Sequence, residues 1–247
     1  MARVGLQLWT IRDECDRDLA GTLQRVGELG YDGVELFQLH GHEATQVRAW
    51  LGATGLVALG RHAPLDLLET QAEELAAELA TLGTDRLALS WVDPAWLDRP
   101  RELVARIQAV AQALRRHDIR FGVHNHRAEL RALDDGRTFL DLLREVRAEL
   151  LWLELDLGWI WRAGADPAEQ LDRTAGRCPV VHLKDYASRE DRDDVPVGDG
   201  EVGYDRLVPA AVAAGAEWLV VEEDEVGPDP FAAVERSLRA VRRMLAT

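Results

Sequence analysis

The sequence predicts one (β/α)8 barrel, and three observations lead there. The 247 residues lie close to the roughly 250 of a complete barrel, so residues 1–247 read as a single domain. Short apolar runs alternate with longer stretches of helical period, the pattern of successive βαβ units on a parallel sheet. Glycine recurs between a helical stretch and the next apolar run, where a chain leaving a helix adopts the left-handed cap conformation.

In chain order, the strand candidate Val4–Leu8 is followed by a helical stretch at Thr22–Leu29, and Gly33–Phe37 by Glu43–Ala53. Leu56–Gly60 leads to Leu65–Leu82, Arg86–Trp91 to Arg101–His117, and Arg120–His124 to Thr138–Glu145. Leu151–Asp156, Val180–Leu183 and Trp218–Val221 complete the eight strand candidates. The glycines are Gly30, Gly55, Gly83 and Gly215. A doubly wound open sheet would carry a glycine-rich phosphate turn after its first strand. Residues Leu8 to Asp13 hold no glycine, so the barrel is preferred. One charge-rich loop, 188–194, follows the seventh strand candidate and reads as a surface excursion or a lid.

With 47% apolar and 30% charged residues, the chain can bury a large core beneath a solvated surface. Its net charge of -15, without a basic stripe, excludes nucleic acid as the expected partner. Cys15 and Cys178 form no C-x-x-C pair, which suits a reducing, cytoplasmic setting. Met1–Leu8 does not read as a signal peptide, and no apolar run is long enough to span a membrane.

In such a barrel, functional side chains project from the carboxyl ends of the strands. Asp156 closes an apolar run and His182 sits between Val181 and Leu183, and their mixed oxygen and nitrogen donors suit one divalent ion: Mn2+, Mg2+, Co2+ or Zn2+. Glu222 closes the last run, with Glu223 and Glu225 as alternatives that strand parity decides. At the fifth strand His124, His126 and Glu129 all remain candidates. Glu35, His62, Gln7, Trp9 and Trp91 are candidates for the pocket lining, the tryptophans as a platform for a sugar. Arg61, Arg127 and Arg162 stand near strand ends without a visible phosphate clamp, so an unphosphorylated substrate is expected.

Five motifs carry a resemblance: His124-Asn125-His126 with Glu129, Glu154-Leu155-Asp156-Leu157-Gly158-Trp159, Val181-His182-Leu183-Lys184-Asp185, Pro196-Val197-Gly198-Asp199-Gly200 and Val221-Glu222-Glu223-Asp224. In this order and spacing the chain resembles the sugar phosphate isomerase/epimerase family, the xylose-isomerase-like TIM barrels that include inosose dehydratases and ketose 3-epimerases. The resemblance implies one metal ion held by Glu129, Asp156, His182 and Glu222. It departs from the ketose epimerases at strand five, where their in-strand glutamate is replaced by Gly122 and Val123. The family's three-zinc endonuclease relatives are disfavoured by the acidic charge.

The implied activity is that of a metal-dependent isomerase or epimerase abstracting a proton beside the carbonyl of a keto-sugar or polyol-derived ketone. Glu129 and Glu222 would share ligand and base roles, while Lys184, His126, His124 and His62 contact substrate oxygens. A dehydratase or lyase acting on an inosose or keto-glycoside is the second expectation, and a non-catalytic sugar-binding barrel the third. The resemblance also implies a possible homo-oligomer.

Overall fold

The protein is described by a computed structural model covering residues 2–190 and 193–246. Eight parallel strands close into a barrel in chain order: β1 (Arg3–Gln7), β2 (Gly33–Leu36), β3 (Val57–Ala63), β4 (Arg86–Leu89), β5 (Arg120–His124), β6 (Trp152–Asp156), β7 (Val180–Leu183) and β10 (Trp218–Val221). Closure comes from β10, which pairs with both β7 and β1. A short antiparallel ribbon, β8 (Asp185–Tyr186) with β9 (Asp194–Val195), lies outside that ring. It brackets the charge-rich loop 188–194, of which residues 191 and 192 lie outside the described residues.

The surrounding helices are α1 (Arg12–Leu29), α2 (Ala44–Thr54), α3 (Leu65–Thr70), α4 (Ala72–Leu82), α5 (Pro100–Arg115), α6 (Phe139–Glu145), α7 (Leu157–Arg162), α8 (Pro167–Arg173), α9 (Tyr204–Ala213) and α10 (Pro230–Leu245). No helix among the described residues is long and apolar enough to cross a membrane.

Local chemistry sets these boundaries. Proline opens α5, α8 and α10, where a missing N–H costs nothing. Thr138 and Asp141 cap the start of α6 reciprocally. Gly30, Gly55 and Gly83 end α1, α2 and α4 in the left-handed region, with φ of 99°, 76° and 82°, as their place in the sequence predicts. The expected single helix Leu65–Leu82 is instead two, because the chain leaves helical geometry at Gln71.

Strands covered on both faces read as nearly continuous apolar runs. Outside the barrel wall, residues such as Val234 and Val241 of α10 belong to one large core. Inside it, Leu59, Val180, Trp218 and Val220 form a smaller plug, with Val57 and Trp152 packed on it. The buried carboxylates and imidazoles of the site sit above that plug, toward the carboxyl ends, while Arg86 pairs with Glu217 at the amino end.

Candidate active site

Strand parity carries the apolar plug into the site. Trp218 and Val220 face inward on β10, so Glu222, two residues further, also faces inward, whereas Glu223 points out and accepts a hydrogen bond from Ser237 Oγ on α10 (2.9 Å). Glu225 is exposed. On β7 the same alternation turns Val180 and His182 inward, and on β6 it turns Trp152, Glu154 and Asp156. Strand β3 breaks the rule. Its register with β2 shifts so that Val34 pairs with Ala58 but Glu35 with Gly60, a bulge that skips Leu59. With Leu59 inside, undisturbed alternation would point Arg61 inward; the extra residue brings in His62 instead, and Arg61 pairs with Glu78 (2.7 Å).

Two tiers of polar groups result. The lower tier is a fully buried network. Gln7 Nε2 donates to Glu35 Oε2 (2.9 Å), which lies 2.7 Å from His182 Nε2 and 3.2 Å from His62 Nε2. His62 Nε2 also lies 2.5 Å from Glu154 Oε2, and His124 Nδ1 lies 3.3 Å from that same oxygen.

The upper tier uses the other ring nitrogens of His182 and His124. His182 Nδ1 meets Glu222 Oε2 at 2.7 Å, and His124 Nε2 approaches it to 4.0 Å. Donor atoms of His124, Asp156, His182 and Glu222 all lie within 4.8 Å of one another; a second such group is His62, His124, Glu154 and His182. Asp156 is fixed by its neighbours: Oδ1 accepts from Trp159 N (2.8 Å), and its backbone N–H donates to Asn125 Oδ1 (3.1 Å).

Electrostatics separate these groups. Burial pushes the Asp156 carboxyl up to about 7 despite nearby Lys184. Burial drives His124 well below the usual imidazole range and His126 down to about 3. His182 is held well above that range: burial opposes its charge, but the carboxylates of Glu154 and Glu35 outweigh it. The same balance, with Glu35 and Glu154, lifts His62 to about 10. Glu222 stays ionised against the cost of burial because Lys184 and His182 face it.

The upper tier fits a divalent cation. Both ring nitrogens of His124 and Oδ2 of Asp156 are buried without a hydrogen-bond partner, an arrangement that normally costs about 1–3 kcal/mol for each such group. Hard oxygen and imidazole donors without thiolate suit Mg2+, Mn2+, Co2+ or Zn2+. Above this tier opens a cavity of about 700 Å3, walled in part by Trp9, Phe37, Trp91 and Trp159 and floored by His62, His124 and Glu222.

The sequence model of the xylose isomerase-like TIM barrels matches residues 23–244. The chain belongs to that family. Among solved structures, a sugar phosphate isomerase/epimerase from Parabacteroides distasonis is similar over 97% of each chain, with a TM-score of 0.84 at 20% identity. The probable 3-DHS dehydratase AsbF of Bacillus anthracis, involved in petrobactin synthesis, covers 97% of this chain and 98% of its own, with a TM-score of 0.78 at 17% identity. The IolI protein with a binding zinc atom follows at a TM-score of 0.73 and 13% identity, covering 99% of this chain and 96% of its own. No curated protein sequence matches the chain. At these identities the structural likenesses speak for the barrel alone.

Within this family member the residues predicted from sequence fall into distinct places. Asp156, His182 and Glu222 converge. Glu129, the fourth ligand implied by resemblance, is not in that group; His124 stands there instead. Glu129 lies on the turn Ala128–Leu130, where Oε2 accepts from His126 N (2.9 Å), Oε1 is unpartnered, and burial lifts its carboxyl to about 7.

Trp9, His62, His124 and His126 line the cavity as expected. Glu35 does not: it is 1% exposed and committed to Gln7 and His182, so it supports the site from below. Lys184 is likewise fully buried, with Nζ 2.6 Å from Asp224 Oδ2. The Gly198 to Gly200 motif serves the backbone, since Asp185 Oδ2 accepts the N–H groups of Gly198 (2.8 Å) and Gly200 (3.1 Å). Sequence reasoning gave no role to Glu154, Asn125 or Asp224. For Glu154 the signal was present, two residues before Asp156 and hence on the same face.

Proposed function

We propose that this chain is a metal-dependent sugar isomerase or epimerase that removes a proton beside the carbonyl of a keto-sugar or polyol-derived ketone. The observation that supports this most is the convergence of His124, Asp156, His182 and Glu222 beneath an open cavity, where both His124 ring nitrogens and Asp156 Oδ2 lack a hydrogen bond.

Asp156, His182 and Glu222 would hold the ion, with His124 the strand-five donor nearest to them. A bound divalent ion supplies Lewis acidity to a carbonyl and its neighbouring hydroxyl. The protein does the rest. Glu222, kept ionised by Lys184 and His182 and lining the cavity, is the base the geometry offers; Glu129, 1% exposed and outside the cavity lining, is the second base that the resemblance implies. Return of the proton to the opposite face gives an epimer, and return to the adjacent carbon gives an isomer. Expulsion of a β-hydroxyl would instead give a dehydratase, and product mass separates these outcomes.

The test is a Mn2+-supplemented screen of keto-sugars and inososes in deuterated water, read by NMR. Exchange of a carbon-bound hydrogen is expected for the parent and its loss for Asp156→Ala and His182→Ala. If folded forms of both variants bind Mn2+ like the parent, the site is misplaced. Paired His124→Ala and Glu129→Gln titrations decide the fourth ligand: the larger loss of Mn2+ affinity is expected for His124→Ala, and the reverse returns Glu129 to the ligand set.

A further inference from the structure

Apolar rings of the cavity gather on one arc of strand ends, with Gln7, His62 and Ser90 the polar residues among them and Trp159, after β6, the one apolar ring on the opposite side. Trp9 follows β1, Phe37 follows β2, Pro64 follows β3 and Trp91 follows β4, so four consecutive strand ends contribute an apolar arc. The ion-binding side chains come from the other four, β5, β6, β7 and β10. The arc is not core that happens to be uncovered. Trp9 and Trp91, 41% and 51% exposed, are two of only three large hydrophobic side chains exposed among the described residues, and both face this cavity.

Large aromatic surface left in water costs free energy unless something covers it. Trp9 is also braced in place: Phe37 meets it edge-on at 5.2 Å, and the Arg12 guanidinium lies 4.8 Å over its ring while bonding to Trp9 O and Asp224 O. A platform held on two sides is preorganised for a flat partner.

Charge on the same walls argues against an anionic group. Arg127 is the one lysine or arginine among the described residues lining the cavity, while Glu222 and Asp224 both line it. Lys184 is buried and paired with Asp224 at 2.6 Å. A phosphate would meet the Glu222 and Asp224 carboxylates, with Arg127 and the His62 imidazolium on separate walls, without the convergent donors that phosphate recognition uses. At about 700 Å3 the space lies well inside the range of roughly 300–1,000 Å3 typical of pockets for drug-sized ligands, ample for a sugar with a substituent.

We infer that the substrate is an unphosphorylated sugar bearing an apolar, planar substituent, with the sugar over the histidine and carboxylate half and the substituent against Trp9 and Trp91. This rests on the site proposed above, since that site fixes which end the reacting sugar occupies.

The test is equilibrium binding to the Mn2+-loaded full chain by calorimetry. The probes are phenyl and methyl glycosides of the common hexoses, with hexose 6-phosphates alongside. For at least one hexose the phenyl glycoside is expected to bind about tenfold tighter than the methyl glycoside, consistent with one aromatic contact plus the area it buries. The 6-phosphates are expected to bind more weakly than either. Trp91→Ala should remove most of the phenyl advantage over the methyl glycoside, with Trp9→Leu as a second variant that keeps apolar bulk but loses the flat face. Equal affinity for phenyl and methyl glycosides, no binding of either, tighter binding of the phosphates, or a phenyl advantage intact in both variants overturns the inference. Failure of the parent to bind Mn2+ defeats the proposed function instead, so the two failures are distinguishable.

Discussion

His182 is gripped through both ring nitrogens, Nδ1 by Glu222 and Nε2 by Glu35, each at 2.7 Å. If a cation takes Nδ1, the proton must stay on Nε2, and Glu35 is the group that keeps it there. Removing that acceptor frees the ring to turn. Glu35→Leu is therefore expected to weaken Mn2+ binding about 10–100-fold, as loss of an outer partner commonly does, and Glu35→Gln, which retains an acceptor, to weaken it less. Calorimetric titration checks this, and unchanged affinity in Glu35→Leu would reject the positioning role. Asp156 adds a pH dependence. Its carboxyl, raised to about 7 by burial, is protonated below that pH, and a proton there competes with the ion. Mn2+ affinity should thus rise with pH through about 7 as this carboxyl ionises, and continue to rise as His182, held well above the imidazole range, gives up its Nδ1 proton; Asp156→Asn should remove the part of the rise near 7.

At the scale of elements, the sequence disclosed what periodicity and punctuation encode. The eight apolar runs became the eight barrel strands, and glycines 30, 55 and 83 ended helices where expected. Three features were hidden for physical reasons. The bulge in β3 leaves no mark in an alternating pattern, so although the sequence points to His62 for the pocket, the reason it and not Arg61 turns inward lies in the register with β2. Helix α7 has six residues, too few to display a period, and α9 carries Pro209 in its interior, which reads as a break. Glu222 and Glu223 were indistinguishable until the plug residues Trp218 and Val220 fixed the parity. That plug also depends on what is missing from its neighbours. A methyl group at Gly122 of β5 would be driven into the Trp152 ring. Gly122→Ala is expected to cost about 1–3 kcal/mol, the usual price of overpacking, seen as a lower urea midpoint at unchanged slope. A midpoint equal to the parent's would mean that Trp152 can give way.

For the whole molecule, the question is what the barrel gains by burying so many ionisable groups at one end. Glu35, Glu154, Asp156 and Glu222 are at most 6% exposed, in a chain whose net charge is already -15. His62, His182 and Lys184 compensate part of that charge, yet Asp156 Oδ2 and both His124 nitrogens make no hydrogen bond. The apo fold therefore carries a local cost that a divalent ion would relieve, and ligand binding to the native state alone must raise its stability. At a Mn2+ concentration about 100 times Kd the gain is about 2.7 kcal/mol. For a domain of this size, at about 2–4 °C per kcal/mol, the melting temperature should rise by about 5–11 °C. Chelator should reverse the rise, and Asp156→Asn should abolish it while leaving the apo melting temperature equal to or above the parent's, because the variant no longer buries an ionisable carboxyl. Scanning calorimetry of both proteins with and without Mn2+ checks the prediction. A parent that melts at the same temperature in saturating Mn2+ and in chelator would show that the buried network is complete without an ion.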